Sequence, residues 1–171
     1  MPLGESIAEQ IREAEQRLIE EMNSNDPSSI RMQTLRDILL SPEFYEIGIR
    51  LIAQNQLWEN QVNRYGQKLP RYKPDTIRKK NKLGHPADKL VNYTNYWTGG
   101  FYNEGINVEV NLEGNSYDFT IVGKWANFIP EDRVGLTEEN QQIFEAQVAE
   151  ELNRRLNRWF WQQYENIEIT L

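Results

Sequence analysis

Cysteine is absent from this 171-residue chain, which excludes disulfides, thiolate nucleophiles and cysteine metal sites together. Histidine is nearly absent. The single one, His85, lies in Leu83-Gly84-His85-Pro86, a turn-like stretch. One imidazole builds neither a His-based triad nor a histidine-rich metal site, and a solvated loop histidine is the simpler reading than a catalytic one. The glycine spacings match neither a phosphate-binding loop nor a dinucleotide fingerprint. The longest apolar stretches fall far short of the ~20 residues that cross a bilayer. Met1-Pro2-Leu3-Gly4-Glu5 has neither the basic start nor the apolar run of a secretory leader. These absences lead to an expectation of no membrane, no metal, no cofactor and no enzymatic activity, and the missing cysteines suit an intracellular origin.

Positive charge is scarce as well, but unevenly so. The whole chain carries −7 with a pI near 4.9, a poor balance for non-specific binding to nucleic acid, which Lys and Arg read first through the phosphates. Between Arg64 and Lys82, however, eight cations (Arg64, Lys68, Arg71, Lys73, Arg78, Lys79, Lys80, Lys82) face one acid, Asp75. That segment holds +7, so against the −7 of the whole chain the remainder holds −14. Such a split suggests a basic arm and an acidic body. Three readings of the arm stay open: a solvated loop, an arm docked on an acidic neighbour such as another copy of the chain, and a contact with DNA.

Helical periodicity dominates residues 1–65. Ile7, Ile11, Ala14, Leu18 and Met22 recur at three- and four-residue steps among charged residues. Asn25-Asp26-Pro27 breaks the pattern, with Asp26 as cap and Pro27 in the first turn of a second helix that points Ile30, Leu35, Ile38 and Leu39 inward. Ser41-Pro42-Glu43 repeats that start signal. A third helix follows, with Phe44, Ile47, Leu51, Trp58 and Val62 on one side, ending near Tyr65-Gly66. Residues 66–91 change character: Pro70, Pro74 and Pro86 interrupt them, and large aliphatics are few. A short helix opening at Pro74 and closing at Gly84 fits inside what is otherwise an exposed arm or loop.

From residue 92 onward the reading turns to β. Ile106, Val108, Val110 and Leu112 alternate with Asn107, Glu109 and Asn111; a turn at Glu113-Gly114-Asn115-Ser116 leads to Tyr117, Phe119 and Ile121. An isolated hairpin is marginal in water, so it must join a larger sheet or pack on a helix. Thr137 caps a long last helix whose core ladder is Phe144, Val148, Leu152, Leu156 and Phe160, reinforced by Ile143 and Trp159. The tail from Ile167 to Leu171 alternates again, as an added edge strand would, in its own sheet or a neighbour's. The expectation is a single α+β domain in three stretches: a helical region 1–65, a basic arm 66–91, and a hairpin with the long helix packed on it, 92–171.

Carboxylate chemistry has little to build on. The doublets Glu20-Glu21, Glu138-Glu139 and Glu150-Glu151 lie on predicted helices, where neighbours diverge rather than converge on a substrate. Glu131-Asp132 sits in a loop, but two acids are too few for a cation site. The aromatic cluster Tyr93, Tyr96, Trp97, Phe101 and Tyr102 admits core or hairpin packing, a protein interface, or base stacking, in that order.

The middle of the chain carries a resemblance. A proline-led basic helix start (Lys73-Pro74-Asp75-Thr76-Ile77-Arg78-Lys79-Lys80) precedes Asp88-Lys89-Leu90-Val91-Asn92-Tyr93-Thr94, a short aromatic segment and the hairpin. Ile129-Pro130, Val134-Gly135-Leu136-Thr137-Glu138-Glu139 and the long helix follow. Over residues 72–160 this order resembles the phage virion-morphogenesis and tail-completion proteins of the head–tail neck. The family's aspartate-threonine-glycine step stands here as Val91-Asn92-Tyr93-Thr94, and its leucine-arginine pair as Tyr96-Trp97. The resemblance implies a non-enzymatic virion subunit, assembled in the host cytoplasm, that forms a homo-oligomeric ring beside other neck, portal or tail proteins. Arg64, Lys68, Arg71, Lys73, Arg78, Lys79, Lys80 and Lys82, with Tyr96, Trp97, Phe101 and Tyr102, would make the inter-subunit contacts. DNA would pass without specific binding, repelled by the acidic body. The alternative is a small intracellular adaptor, monomeric or dimeric, that binds another protein through its helical N-terminus.

Overall fold

A computed structural model of the chain describes residues 2–71, 73–84, 105–127 and 129–170. In chain order the elements are α1 (Leu3–Asn23), α2 (Ile30–Leu39), α3 (Pro42–Arg50), a π-helix (Leu51–Glu59), α4 (Pro74–Lys82), β1 (Ile106–Asn111), β2 (Ser116–Ile121), two 3₁₀ turns (Gly123–Asn127 and Glu131–Arg133) and α5 (Glu138–Glu165). This is the expected α+β arrangement of N-terminal helices, antiparallel hairpin and long last helix. No helix among the described residues is long and apolar enough to cross a membrane.

The hairpin pairs Ile106 with Ile121, Val108 with Phe119 and Val110 with Tyr117. These residues share one face, as the period of two requires. Its loop runs from Leu112 to Asn115, with Asn115 at φ 49° and the Asn111 carboxamide accepting from the Gly114 N–H at 3.0 Å. The requirement for a covering partner is met by helices, not by more strands: among the described residues the sheet has two strands, and α2, α3 and α5 lie over it in one core. Phe144 of α5 is fully buried at the centre of that core. Its ring meets Phe119 and Phe44 edge-on, at 5.7 and 6.2 Å between centroids, and Tyr117 at 5.6 Å. Gly48 is where α3 approaches most closely, because a Cβ there would stand 2.1 Å from the Phe119 ring. Val148, Leu152 and Leu156 continue the buried ladder of α5 as expected.

Several expected elements differ. Ser29, not Asp26, caps α2: its hydroxyl accepts from the Met32 N–H at 3.2 Å, while Asp26 closes the preceding turn onto Ser28. The third helix does not run to Tyr65. After Arg50 it widens into a π-helix, in which the N–H reaches back five residues, as from Asn60 to Asn55 at 3.0 Å. Each turn then takes in an additional residue, so the fully buried positions are Ile52, Ala53, Gln56 and Leu57, while the expected Leu51 and Trp58 are partly buried and pack against the same core. The helix stops at Glu59, Gln61 adopts φ 52°, and Val62 bridges Lys68 instead of extending the helix. On α5, Ile143 is 43% exposed and lies outside the core, while Trp159 and Phe160 are half-buried. The tail adds no strand over 167–170; the Gln10 carboxamide of α1 grips Thr170 instead, donating to its carbonyl at 2.7 Å and accepting from its N–H at 2.8 Å.

Candidate interaction surface

The expected basic arm divides into three parts. Arg64 does not belong to an exposed arm. Its guanidinium bonds the Asp118 carboxylate on β2 at 2.9 Å and the Val134 carbonyl at 3.2 Å, and its own N–H donates to the Asp132 carbonyl at 2.8 Å. The guanidinium also lies so close to Gly135, at φ 122°, that a Cβ there would meet it at 2.5 Å. Asn63, 4% exposed, completes this corner by donating to Gln67 at 2.9 Å and Asp132 at 3.1 Å. Asp132 thus fastens a loop. Lys68 lies on the bridge to Val62, with its ammonium 3.3 Å from the Asn60 carbonyl, and Leu69 beside it is buried.

The rest of the basic run is α4 and its approach. Pro74 occupies the first turn and Gly84 at φ 74° follows the helix end, both as the sequence implied, and Asp75 pairs with Arg78 across one turn. Arg71, Lys73, Lys79 and Lys82 are exposed. Lys80 is the exception: it is 0% exposed, so α4 has an inward side and is not a wholly solvated arm. The aromatic residues Tyr93, Tyr96, Trp97, Phe101 and Tyr102, and His85, lie outside the described residues.

A second surface was not anticipated. Met22 near the end of α1 packs on the core, and Gln10 near its start holds Thr170 beyond the end of α5, so the two helices run antiparallel. Leu156 is the last buried residue of α5. From Asn157 to Glu165, and along all of α1 from Gly4 to Asn23, no described side chain is buried. This forms a two-helix stalk whose apolar stripe is covered on one side only. Ile7, Ile11, Leu18, Trp159, Phe160 and Tyr164 are half-buried, while Ile19 and Trp161 are 41% and 53% exposed. The rings at the end of α5 meet one another edge-on, with Phe160 to Trp161 at 5.3 Å and Trp161 to Tyr164 at 5.5 Å between centroids. The available signal was the density of rings in Trp159-Phe160-Trp161-Gln162-Gln163-Tyr164, which surrounds a helix instead of forming one stripe. The outer side of α1 is acidic: Glu5, Glu9, Glu13 and Glu20 are exposed on it.

Two clefts flank the hairpin. One, of about 540 Å³, is lined by Arg64, Glu109, Tyr117, Asp118 and Gln141 among others. Burial, and then the neighbouring Glu145 carboxylate, push the Tyr117 phenol far up, so it stays protonated and donates to Glu145 at 3.0 Å. That makes it a hydrogen-bonding group, not a nucleophile. The other, of about 360 Å³, is a more apolar groove between α2, the hairpin loop and α5, lined by Met32, Leu35, Leu39, Leu112, Val148 and Leu152 among others. Among the described residues no three His, Asp or Glu side chains gather as metal ligands would. Buried polar contacts serve the frame. Gln56, 1% exposed, donates to the Gly135 carbonyl at 2.8 Å and accepts from the Thr137 N–H and the Asn140 carboxamide, both at 2.9 Å. It thereby locks the π-helix to the N-terminus of α5.

Comparison of the chain with protein-family models, with curated proteins and with solved structures finds no match.

Proposed function

We propose that this protein acts by assembly: a structural subunit of a tailed-phage virion, in the neck or tail-completion position, joining copies of itself and neighbouring virion proteins without catalysis. The observation that carries the reading is the stalk. A pair of helices with exposed Trp161 and Ile19 and no buried described side chain in its outer part is an apolar surface that association with another chain would cover. The body supports it, because its buried polar groups (Gln56, Asn63, Asn140) are engaged in joining elements to one another. The placement in a virion neck rests on the resemblance over residues 72–160, and the acidic surface suits a channel that duplex DNA crosses without sticking. Light scattering after size exclusion, over a range of concentration and salt, with negative-stain images of any large species, tests it. Rings of several copies are the expected result. A monomer under every condition would remove the self-assembling ring from consideration.

The groove between α2, the hairpin loop and α5 favours one other reading, the adaptor. It predicts a chain that stays monomeric or dimeric and loses binding of a partner protein on Leu35→Asp, while the stalk tolerates substitution.

A further inference from the structure

We infer that α4 of one copy docks on the α1–α5 stalk of the next, head to tail, so that the basic helix and the acidic stalk are the two halves of one contact. This rests on the reading of the protein as self-assembling and names the surfaces that would do it.

The stalk presents exposed Ile19 and Trp161, and α1 exposes Glu5, Glu9, Glu13 and Glu20. Across α1 as a whole, six acids (Glu5, Glu9, Glu13, Glu15, Glu20, Glu21) outnumber Arg12 and Arg17. A cover for this face must therefore be cationic as well as apolar. Among the described elements α4 alone has that character. Lys79, Lys82 and Leu83 follow at three- and four-residue steps and so share one side of the helix. Leu83 is 60% exposed, and among the described residues neither lysine makes an ion pair. Around the helix the fully buried Lys80 lies about 100° from Lys79 and about 160° from Lys82, so both lysines stand off the inward side, with Leu83 at its edge. Within the chain no ion pair among the described residues joins these two surfaces, so their charges are available to another copy. A head-to-tail contact of this kind is heterologous, and its repetition closes a ring or continues as a filament.

The test uses the full chain and reciprocal charge reversal. Lys79→Glu with Lys82→Glu, and separately Glu9→Lys with Glu13→Lys, should each weaken association about ten-fold or more in light scattering at low salt. The chain bearing all four reversals should regain it. All of these residues are exposed, so folding is not at stake. The absence of cysteine permits a second measurement: a Leu83→Cys chain mixed with an Ile19→Cys chain should give a covalent heterodimer under mild oxidation. If the wild type assembles and neither reversal matters, this contact is overturned while self-assembly stands. Loss on the lysine side alone also overturns it, because α4 then meets some other partner, nucleic acid included. A wild type that never associates overturns both readings.

Discussion

The body and the stalk share α5 but are stabilised differently. In the body, α5 buries Phe144, Val148, Leu152 and Leu156 against the hairpin and α2. Nine residues after Leu156 the same helix ends, having buried nothing more, with α1 as its companion. A helix lying on a hairpin and further helices has neighbours on several sides, and its apolar stripe disappears. Two helices lying side by side cover each other along one line only, leaving roughly half of each stripe wet. Among the described residues the body thus covers its apolar stripe within one chain, whereas the stalk leaves part of its stripe exposed.

The sharpest way to break that contrast is to compare rings of the same chemical kind in the two regions. Phe144→Ala removes a side chain that touches three other rings, and should destabilise the protein by about 4 kcal/mol in urea unfolding. Trp161→Ala, on the exposed end of α5, should change stability by less than about 0.5 kcal/mol. Equal losses would mean the stalk is as closely packed as the body.

The second largest effect should come from the clasp that joins the π-helix to α5. Gln56→Ala leaves the Gly135 carbonyl, the Thr137 N–H and one bond of Asn140 without their partner, which costs about 3 kcal/mol. It also removes the reason for the wide helical register: in an α register a one-residue shift would turn the side chain at 56 by about 100° away from Thr137. Amide exchange at Asn60 and Val62, whose N–H groups reach Asn55 and Gln56 at 3.0 and 2.9 Å, should accelerate more than at Leu39. Gly48→Ala comes next. Its new methyl group must displace the Phe119 ring or lift α3, an overpacking that should cost about 2 kcal/mol.

What the sequence revealed, and what it hid, follows from the range of the interactions. Strands β1 and β2 and the α5 ladder are written in short periods and were readable. So were the α3 and α4 starts, where Pro42 and Pro74 stand in the first turn. The π-helix was not, because the bonds that favour it run from Gln56 to residues 79, 81 and 84 positions away. The burial of Lys80 and the tethering of the half-buried Arg64 were hidden by their membership of a charge run, since a cation's setting depends on partners that adjacency does not specify. The stalk was visible as an amphipathic helix, but periodicity says only that a face is apolar, not that a neighbour covers it.

On the stalk side the expected effects are smaller. Gln10→Ala releases Thr170 from both of its bonds to α1 and should cost about 0.5 kcal/mol or less, these groups being exposed. The sensitive readout is local: proteolysis of the 166–170 tail should accelerate while the urea midpoint hardly moves. A large shift in midpoint would show that the tail, and not the core, secures the two helices.

The smallest effect concerns the boundary itself. Glu151 lies one residue before Leu152, and its carboxylate accepts from Arg154 at 2.6 and 2.9 Å and from Arg155 at 2.7 Å. The hydrogen bonds from Arg154, then those from Arg155, lower its pKa from 4.5 to about 2. A carboxyl held lower in the folded chain than in the unfolded one stabilises the fold above its unfolded value, and that contribution fades as the pH falls towards its folded value. The advantage of the wild type over Glu151→Gln should therefore be full above pH 4.5 and narrow steadily towards pH 2. Melting temperatures of the two proteins at stepped acid pH measure the gap. An unchanging gap would show that Glu151 acts by its shape and hydrogen bonds alone. A narrowing one would place a charge-dependent fastening where the closed core gives way to the open pair of helices.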